Sequence, residues 1–311
     1  MTQLFVFPGQ GSQTVGMGKA LADTYAEARA VFEHVDDALG QKLSDIMWNG
    51  PDDELTLTEN AQPALMAVSI ATMRVLEARG VNLADAADYV AGHSLGEYAA
   101  LTAAGALQLD DTARLLKLRG QAMQRAVPVG VGAMAALLGL DFDAVAEIAA
   151  EASGDSEICG AANDNANGQV VISGHAAAVA RAIDLAKERG AKRAMELPVS
   201  APFHCALMQP AADEMAAALA DTAIAAPTVP VIANVTAEAT DDPEAIRALL
   251  VEQVTGSVRW RESMIWAADQ GVTELVEIGS GKVLTGMAKR IDARLTAKAL
   301  NTPEDIDAFL G

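Results

Sequence analysis

The Gly-His-Ser-Leu-Gly segment at residues 92–96 constrains this 311-residue chain more than any other feature. It follows the apolar run Tyr89–Ala91 and precedes a helix-like run, an order typical of the strand–turn–helix elbow that presents a serine nucleophile. Glycines on both sides allow a sharp bend and a close approach of neighbouring backbone. We therefore expect a reactive Ser94, with the backbone N–H of Leu95 facing an oxyanion. The same segment could instead be a plain turn whose serine caps the helix.

Composition and charge exclude several classes of protein. The chain has 42 acidic and 22 basic residues and a formal net charge of −20, so a phosphate backbone would be repelled and nucleic acid is not an expected partner. The longest uncharged apolar stretch, Val129–Leu140, falls short of the ~20 residues that a membrane span needs. No basic segment precedes the first apolar run, and Cys159 and Cys205 form no Cys-x-x-Cys pair. We expect a cytoplasmic protein without a membrane span.

Short apolar runs alternate with helical periodicity, which predicts an α/β fold with a parallel sheet. One helix is expected to begin near Gln62-Pro63 and to stop at Gly80, because proline suits the first helical position. Another is expected over residues 110–125, capped by Asp110 or Asp111.

From residue 131 to residue 198 the rhythm changes to strand, helix, strand, strand, helix, strand. This βαββαβ order is typical of a ferredoxin-like module, and Asn163–Gly168 is the predicted hairpin turn because Asn and Gly tolerate positive φ. The sequence therefore predicts a discontinuous large α/β domain of residues 1–130 and 199–311. A small ferredoxin-like subdomain of residues 131–198 is inserted into it.

A serine nucleophile needs a base, usually an imidazole. Of the four histidines, His34 lies on the helix predicted by the three- and four-residue spacing of apolar residues from Leu21 to Val35. His175 follows a strand of the small module, and His93 should point away from Ser94. His204, in a proline-stiffened loop, is the remaining candidate, although it could merely cap the helix that follows. No acidic residue stands at an obvious third position, so a Ser-His dyad is expected, with a backbone carbonyl orienting the ring.

Motifs for metals and nucleotides are incomplete. The segment Gly9–Thr14 lacks the third glycine of a dinucleotide fingerprint, and Gly281–Val283 does not continue as a phosphate-binding loop. His93 and Glu97 are four residues apart, but no second histidine completes a zinc-binding helix. We expect no metal and no bound cofactor.

Several motifs together closely resemble the malonyl-CoA:acyl carrier protein transacylase family of bacterial fatty acid synthesis. The match runs along nearly the whole chain and comprises Phe7–Gln13, Gly92–Glu97, Arg119-Gly120, Pro202–His204 and Glu252-Gln253 with Val258–Trp260. The resemblance implies a hydrolase-like parallel-sheet α/β domain with an inserted ferredoxin-like subdomain, which agrees with the fold predicted from the residues.

Carried over by position, the family's nucleophile falls on Ser94 and its base on His204. The resemblance implies that the backbone N–H of Gln10 is the second oxyanion donor beside Leu95. It also implies that the backbone carbonyl of Gln253 holds the histidine ring.

The family's carboxylate-binding arginine falls on Arg119. A planar guanidinium suits this role because it offers two parallel N–H donors to the carboxylate that distinguishes malonyl from acetyl. Without the resemblance, Arg119 would be predicted as a solvated residue, because its helix also carries Arg114, Lys117 and Arg125. Phe203, beside the histidine, resembles the malonyl-selective members.

The resemblance implies transfer of a malonyl group from malonyl-CoA to the phosphopantetheine thiol of acyl carrier protein, through a malonyl-serine. Malonyl-CoA and acyl carrier protein are then the expected partners, and the chain is expected to act as a monomer without a cofactor. Three alternatives stay open at this point. They are a stand-alone acyltransferase that feeds a polyketide synthase, a serine thioesterase or esterase, and a docking subunit with an unreactive serine.

Overall fold

The computed structural model describes residues 2–199 and 201–311. The strands in this part of the chain are β1 (Thr2–Phe7), β2 (Tyr89–Gly92), β3 (Gly132–Leu138), β4 (Cys159–Ala166), β5 (Gln169–His175), β6 (Arg193–Glu196), β7 (Val231–Ile232), β8 (Ala239–Thr240), β9 (Val272–Ile278) and β10 (Thr296–Leu300). The helices are α1 (Lys19–Thr24), α2 (Ala26–Leu39), α3 (Leu43–Asn49), α4 (Asp52–Thr56), α5 (Thr58–Ala78), α6 (Leu83–Ala86), α7 (Gly96–Ala103), α8 (Leu109–Ala126), α9 (Phe142–Ala152), α10 (Ala176–Glu188), α11 (Gln209–Ala220), α12 (Pro243–Glu252), α13 (Trp260–Asp269), α14 (Val283–Ile291) and α15 (Pro303–Leu310). A short 3₁₀ turn spans Ala206–Met208.

The larger sheet has the strand order β10-β9-β1-β2-β7-β8. Its first five strands are parallel, and β8 pairs antiparallel with β7. Along the central strand β1, Phe5 and Phe7 belong to one apolar core while Leu4 and Val6 belong to another, so both faces are covered by helices. Every helix in the described part of the chain is too short or too polar to serve as a bilayer crossing.

The smaller sheet is antiparallel and has the order β4-β5-β3-β6. Helices α9 and α10 cover one face of it around a separate apolar core that includes Ala135 and Leu137. The opposite face presents Met134 and Val171 to the core of the larger part of the molecule. This arrangement is the one that a βαββαβ order produces, and the predicted fold class is confirmed.

Strand β4 joins the small sheet to the segment between α12 and α13. The N–H of Asp164 donates to the carbonyl of Val258 at 2.9 Å, and the N–H of Val258 donates to the carbonyl of Ala162 at 2.8 Å. The buried Asp164 carboxylate also pairs with Arg261 at 2.8 Å. These contacts fix one edge of the small sheet beside the residues that follow Gln253.

Two predicted helix starts are wrong. Helix α5 begins at Thr58, so Pro63 lies inside it. A proline near the N-terminal end removes only one backbone hydrogen bond, and the largely buried surface of this helix outweighs that loss. The N-cap of α8 is Gln108, so Asp110 and Asp111 lie in the first turn. Their negative charges stabilise the helix there by interacting with the positive end of its dipole.

The predicted hairpin turn over Asn163–Gly168 is too long. Strand β4 continues to Ala166 and β5 begins at Gln169, so the turn itself is Asn167-Gly168. Two register shifts in the β4–β5 pairing accommodate the polar Asn163–Asn165 stretch, so the strand continues through it. Asn163 and Asn165 consequently lie along the central cavity rather than at a loop tip.

Candidate active site

Ser94 lies on the sharp turn between β2 and α7, and its φ of 54° is in the left-handed region, which is strained for a residue with a side chain. The flanking glycines are required by close backbone packing. A Cβ on Gly92 would lie 1.9 Å from the backbone carbon of Gly96, and a Cβ on Gly96 would lie 2.3 Å from the carbonyl oxygen of Phe7. The Gly-x-Ser-x-Gly pattern therefore follows from the geometry of the elbow. The alternative of a serine that merely caps the helix is wrong, because the Ser94 hydroxyl contacts His204 and the N-cap position of α7 is Leu95.

His204 lies opposite the serine. Its Nε2 is 2.7 Å from Ser94 Oγ, although 110 residues separate the two in the sequence. Its Nδ1 faces two carbonyl oxygens, those of Gln253 at 2.9 Å and Gly256 at 3.2 Å. Since carbonyls only accept, Nδ1 carries the hydrogen and Nε2 accepts the hydroxyl proton of Ser94.

The environment of His204 keeps the ring neutral. Burial, and then the positive charge of Arg119, lower the pKa of His204 to about 3. A neutral imidazole with Nε2 directed at a hydroxyl is the form that accepts a proton. The backbone of His204 also has a left-handed φ of 58°, which belongs to the loop that turns its ring toward the serine.

Arg119 reaches the site from the middle of α8 and is only 2% exposed. Its Nη1 donates to Gln62 Oε1 at 2.8 Å, and its Nη2 donates to Gln253 Oε1 at 2.8 Å and to Ser94 Oγ at 3.2 Å. No ion pair in residues 2–199 and 201–311 involves its guanidinium. The prediction of a solvated arginine is therefore wrong.

A cavity of about 390 Å³ opens over the serine, the histidine and the arginine. Gln10 and Leu95, the two predicted oxyanion donors, both line it. Gln10 is tied to α5, because its Oε1 accepts a hydrogen bond from Thr58 at 3.0 Å. The apolar part of the wall is formed by side chains of the small sheet, of helix α8 and of the segment that follows β6, namely Met134, Val171, Met123, Leu197, Val199 and Phe203.

A buried polar frame behind the serine was not predicted. Asn234 Oδ1 accepts the backbone N–H of Ser94 at 2.7 Å, and Asn234 Nδ2 donates to the carbonyl of Gly92 at 2.7 Å. Glu97 Oε2 accepts from the backbone N–H of Asn234 at 3.0 Å and from Gln253 Nε2 at 2.9 Å. Glu97 follows Ser94 by three residues, about one helical turn, and this spacing was the sequence signal that could have indicated its place behind the serine. No sequence signal indicated Asn234.

The other three histidines lie away from the reacting atoms. His93 Nε2 is 2.8 Å from Asn165 Oδ1, and its ring lies against Trp260. His175 Nδ1 accepts the backbone N–H of Ile158, and the half-exposed His34 pairs with Asp110. The expectation that His93 points away from the serine hydroxyl agrees with these contacts.

Residues 4–293 match the acyl transferase domain family. The chain belongs to this family. A curated relative from Escherichia coli (strain K12), malonyl CoA-acyl carrier protein transacylase, is 48% identical over 311 residues, which cover 100% of this chain and 99% of the relative. The predicted family resemblance is thereby confirmed.

Solved structures agree with this assignment. An acyl-carrier-protein-S-malonyltransferase from Bartonella henselae is 58% identical, with a TM-score of 0.97 over 100% of this chain and 98% of that one. A malonyl-transacylase in complex with a type II PKS acyl-carrier protein is 43% identical, with a TM-score of 0.96 over 100% of this chain and 99% of that one. This acyl transferase therefore shares its whole fold with proteins whose names refer both to malonyl transfer and to an acyl carrier protein.

The structure brings all six predicted site residues together. Five of them line the cavity: Ser94, His204, Gln10, Leu95 and Arg119. Gln253 lies behind them and contacts the other members through both its backbone and its side chain.

Proposed function

We propose that this acyl transferase moves a malonyl group from malonyl-CoA to the phosphopantetheine thiol of acyl carrier protein, supplying fatty acid chain elongation. One observation carries the proposal. Ser94 Oγ lies 2.7 Å from His204 Nε2 and 3.2 Å from Arg119 Nη2, so a nucleophile, its base and a carboxylate-binding cation meet at one atom. The names of the full-length relatives support the same substrate and carrier.

In the first half-reaction, Ser94 Oγ attacks the thioester carbonyl of malonyl-CoA while its proton moves to His204 Nε2. The carbonyl oxygen becomes an oxyanion, which the backbone N–H groups of Leu95 and Gln10 stabilise. The carbonyls of Gln253 and Gly256 stabilise the imidazolium through Nδ1–H. When the C–S bond breaks, His204 returns the proton to the departing thiolate, which leaves free CoA and malonyl-Ser94.

The second half-reaction runs the same steps in reverse. The carrier's phosphopantetheine thiol gives its proton to His204, attacks malonyl-Ser94 and departs as a new thioester, while the serine recovers its proton. One thioester replaces another, so the exchange consumes little free energy and needs no cofactor and no metal. The apolar side chains that line the cavity limit the access of water to the acyl-serine.

Arg119 selects the acyl group. Each terminal nitrogen of its guanidinium carries two N–H donors, and Gln62 and Gln253 each occupy one. The second donor of Nη2 contacts Ser94 Oγ at 3.2 Å, at the point where the acyl group is attached. We propose that this donor and the second donor of Nη1 bind the substrate carboxylate once the serine is acylated. Both partners are neutral amides, so the positive charge is retained for the substrate rather than consumed by an internal ion pair.

The relative solved with a type II PKS carrier favours a second candidate, a malonyl transferase that serves a polyketide synthase. The chemistry is identical, and only the carrier differs. Rates measured with purified carriers of the two kinds separate the candidates. A thioesterase is distinguished by its product, because it would release free malonate where a transferase accumulates malonyl-carrier.

Mass spectrometry of the intact protein tests the nucleophile. Brief exposure to malonyl-CoA should add one malonyl group to the wild type and none to Ser94→Ala. Parallel samples with acetyl-CoA and methylmalonyl-CoA measure acyl selectivity. An adduct on Ser94→Ala would reject Ser94 as the nucleophile, and its absence from both proteins would favour an unreactive docking subunit.

The remaining proposals concern organisation. We place the large domain at residues 1–130 and 199–311 and the small subdomain at residues 131–198, consistent with the separation of the two sheets. We propose that the chain acts as a monomer, since the described residues of one copy supply every group that the mechanism uses and the site needs no second copy. We place the reaction in the cytoplasm, where the free thiols of Cys159 and Cys205 stay reduced.

A further inference from the structure

Gln253 contacts Ser94, His204 and Arg119 at the same time. Its backbone carbonyl accepts from His204 Nδ1, its Oε1 accepts from Arg119 Nη2 at 2.8 Å, and its Nε2 donates to the carbonyl oxygen of Ser94 at 3.0 Å. Of these three groups of Gln253, the proposed mechanism uses only the backbone carbonyl. The side chain is fully buried, so the cost of burying its amide is offset only by correctly paired hydrogen bonds.

The orientation of this amide is determined by two unlike neighbours. Glu97 Oε2 accepts from Nε2 at 2.9 Å on one side, while the Arg119 guanidinium donates to Oε1 on the other. Rotating the amide by 180° would place its NH₂ against a guanidinium that can only donate and its oxygen against the acceptor atoms of Glu97 and Ser94. The amide therefore has one satisfied orientation, in which a neutral oxygen faces Arg119.

Glu97 can hold the amide whether or not it carries a proton. Burial raises the pKa of Glu97 to about 7, and the hydrogen bonds from Gln253 and Asn234 oppose the rise. Both donors use the same oxygen, Oε2, which remains an acceptor when the other oxygen is protonated.

We infer that the Gln253 side chain, oriented by Glu97, is a positioning residue for Arg119 and thereby a second determinant of the preference for malonyl over acetyl groups. It fixes one terminal nitrogen of the guanidinium beside Ser94 Oγ, while Gln62 fixes the other. Because the contact is to a neutral oxygen, it orients the cation without pairing with its charge. The inference rests on the proposed role of Arg119 in binding the substrate carboxylate.

A side-chain substitution isolates this role, because the backbone carbonyl that holds His204 is unchanged. Gln253→Met preserves the length of the side chain and removes both amide contacts. We expect a fall of about 10-fold in kcat/KM for malonyl-CoA, mainly through KM, with acetyl-CoA changed by less than about 3-fold. Gln253→Glu, which keeps the shape, places a carboxylate beside Arg119 and should lower the malonyl/acetyl ratio further.

A double-mutant cycle separates positioning from general damage to the fold. In an Arg119→Ala background, Gln253→Met should leave the malonyl/acetyl ratio unchanged, because the group it positions is absent. Thermal unfolding of each variant shows which of the two Gln253 substitutions still folds. The malonyl/acetyl ratio of one folded Gln253 variant is sufficient to test the positioning role. An unchanged ratio in a folded Gln253 variant would overturn the inference, as would an equal drop in the ratio with and without Arg119.

These outcomes are distinct from a failure of the proposed function. If Arg119→Ala lowers the malonyl/acetyl ratio but the Gln253 variants do not, only the positioning role fails. If Arg119→Ala lowers both activities equally, the carboxylate role of Arg119 fails, and the inference fails with it. If Ser94→Ala still forms an adduct, the proposed nucleophile is wrong.

Discussion

Replacing Arg119 with alanine should change the choice of acyl group more than the general activity. The guanidinium makes a charge-assisted pair with the substrate carboxylate in a site where it is 2% exposed, and such hydrogen bonds contribute roughly 1.5–3 kcal/mol each. A net loss of about 2–3 kcal/mol corresponds to a fall of roughly 30- to 150-fold in kcat/KM for malonyl-CoA. Acetyl-CoA has no carboxylate to lose, so its transfer should change little.

The assay is a comparison of kcat/KM for malonyl-CoA and acetyl-CoA with one carrier. Truncation also leaves the side-chain oxygens of Gln62 and Gln253 without their donor, and that damage affects both substrates. Their ratio therefore reports the carboxylate contact alone. Arg125→Ala is the matched control, because Arg125 lies on the same helix, half-exposed, and pairs with Glu214 at 2.6 Å outside the cavity. An unchanged ratio in Arg119→Ala would refute the reasoning.

Two further predictions concern the histidine and the elbow. Because burial and Arg119 lower the pKa of His204 to about 3, the ring stays neutral as the pH falls, so the single-turnover acylation rate should show no inflection near pH 6.5 between pH 8 and pH 5. The Glu97→Gln variant serves as a control, because it removes the titration of the Glu97 carboxyl from the pH profile. An inflection that persists in this variant would show that His204 titrates normally and would contradict the prediction. Gly92→Ala should abolish folding or lower the denaturant midpoint sharply, since its Cβ would lie 1.9 Å from the backbone of Gly96. Gly286→Ala, in the open face of α14, should instead stabilise by about 0.5–1 kcal/mol, and equal effects would contradict the packing argument.

Local patterns in the sequence were sufficient to predict the strands, helices and turns that follow simple periodicities. The elbow at Ser94 was predictable because its two glycines mark a bend that other residues cannot occupy. The inserted module was predictable because its strands and helices alternate in a recognisable order. The assignment of Arg119 required the family resemblance, since nothing in the helix around it distinguishes a buried arginine from the exposed Arg125.

Features that depend on distant contacts were not predictable. The start of α5 lies ahead of Pro63 because tertiary burial outweighs a local preference. The polar stretch Asn163–Asn165 has the composition of a turn, yet it continues a strand because Asp164 and its neighbours bond to Val258 and Arg261 far along the chain. The frame of Glu97 and Asn234 joins two residues that are 137 positions apart, and no local pattern encodes such a pairing.

The two sheets contribute different parts of the cavity. The larger one carries the serine at the end of β2, whereas Met134 and Val171 extend from the smaller one into the acyl wall. The dimensions of the acyl-accepting space can therefore be altered through the inserted unit while the reacting atoms keep their places. Enlarging or shrinking those two side chains offers a route to enzymes of this architecture that accept longer or bulkier acyl donors.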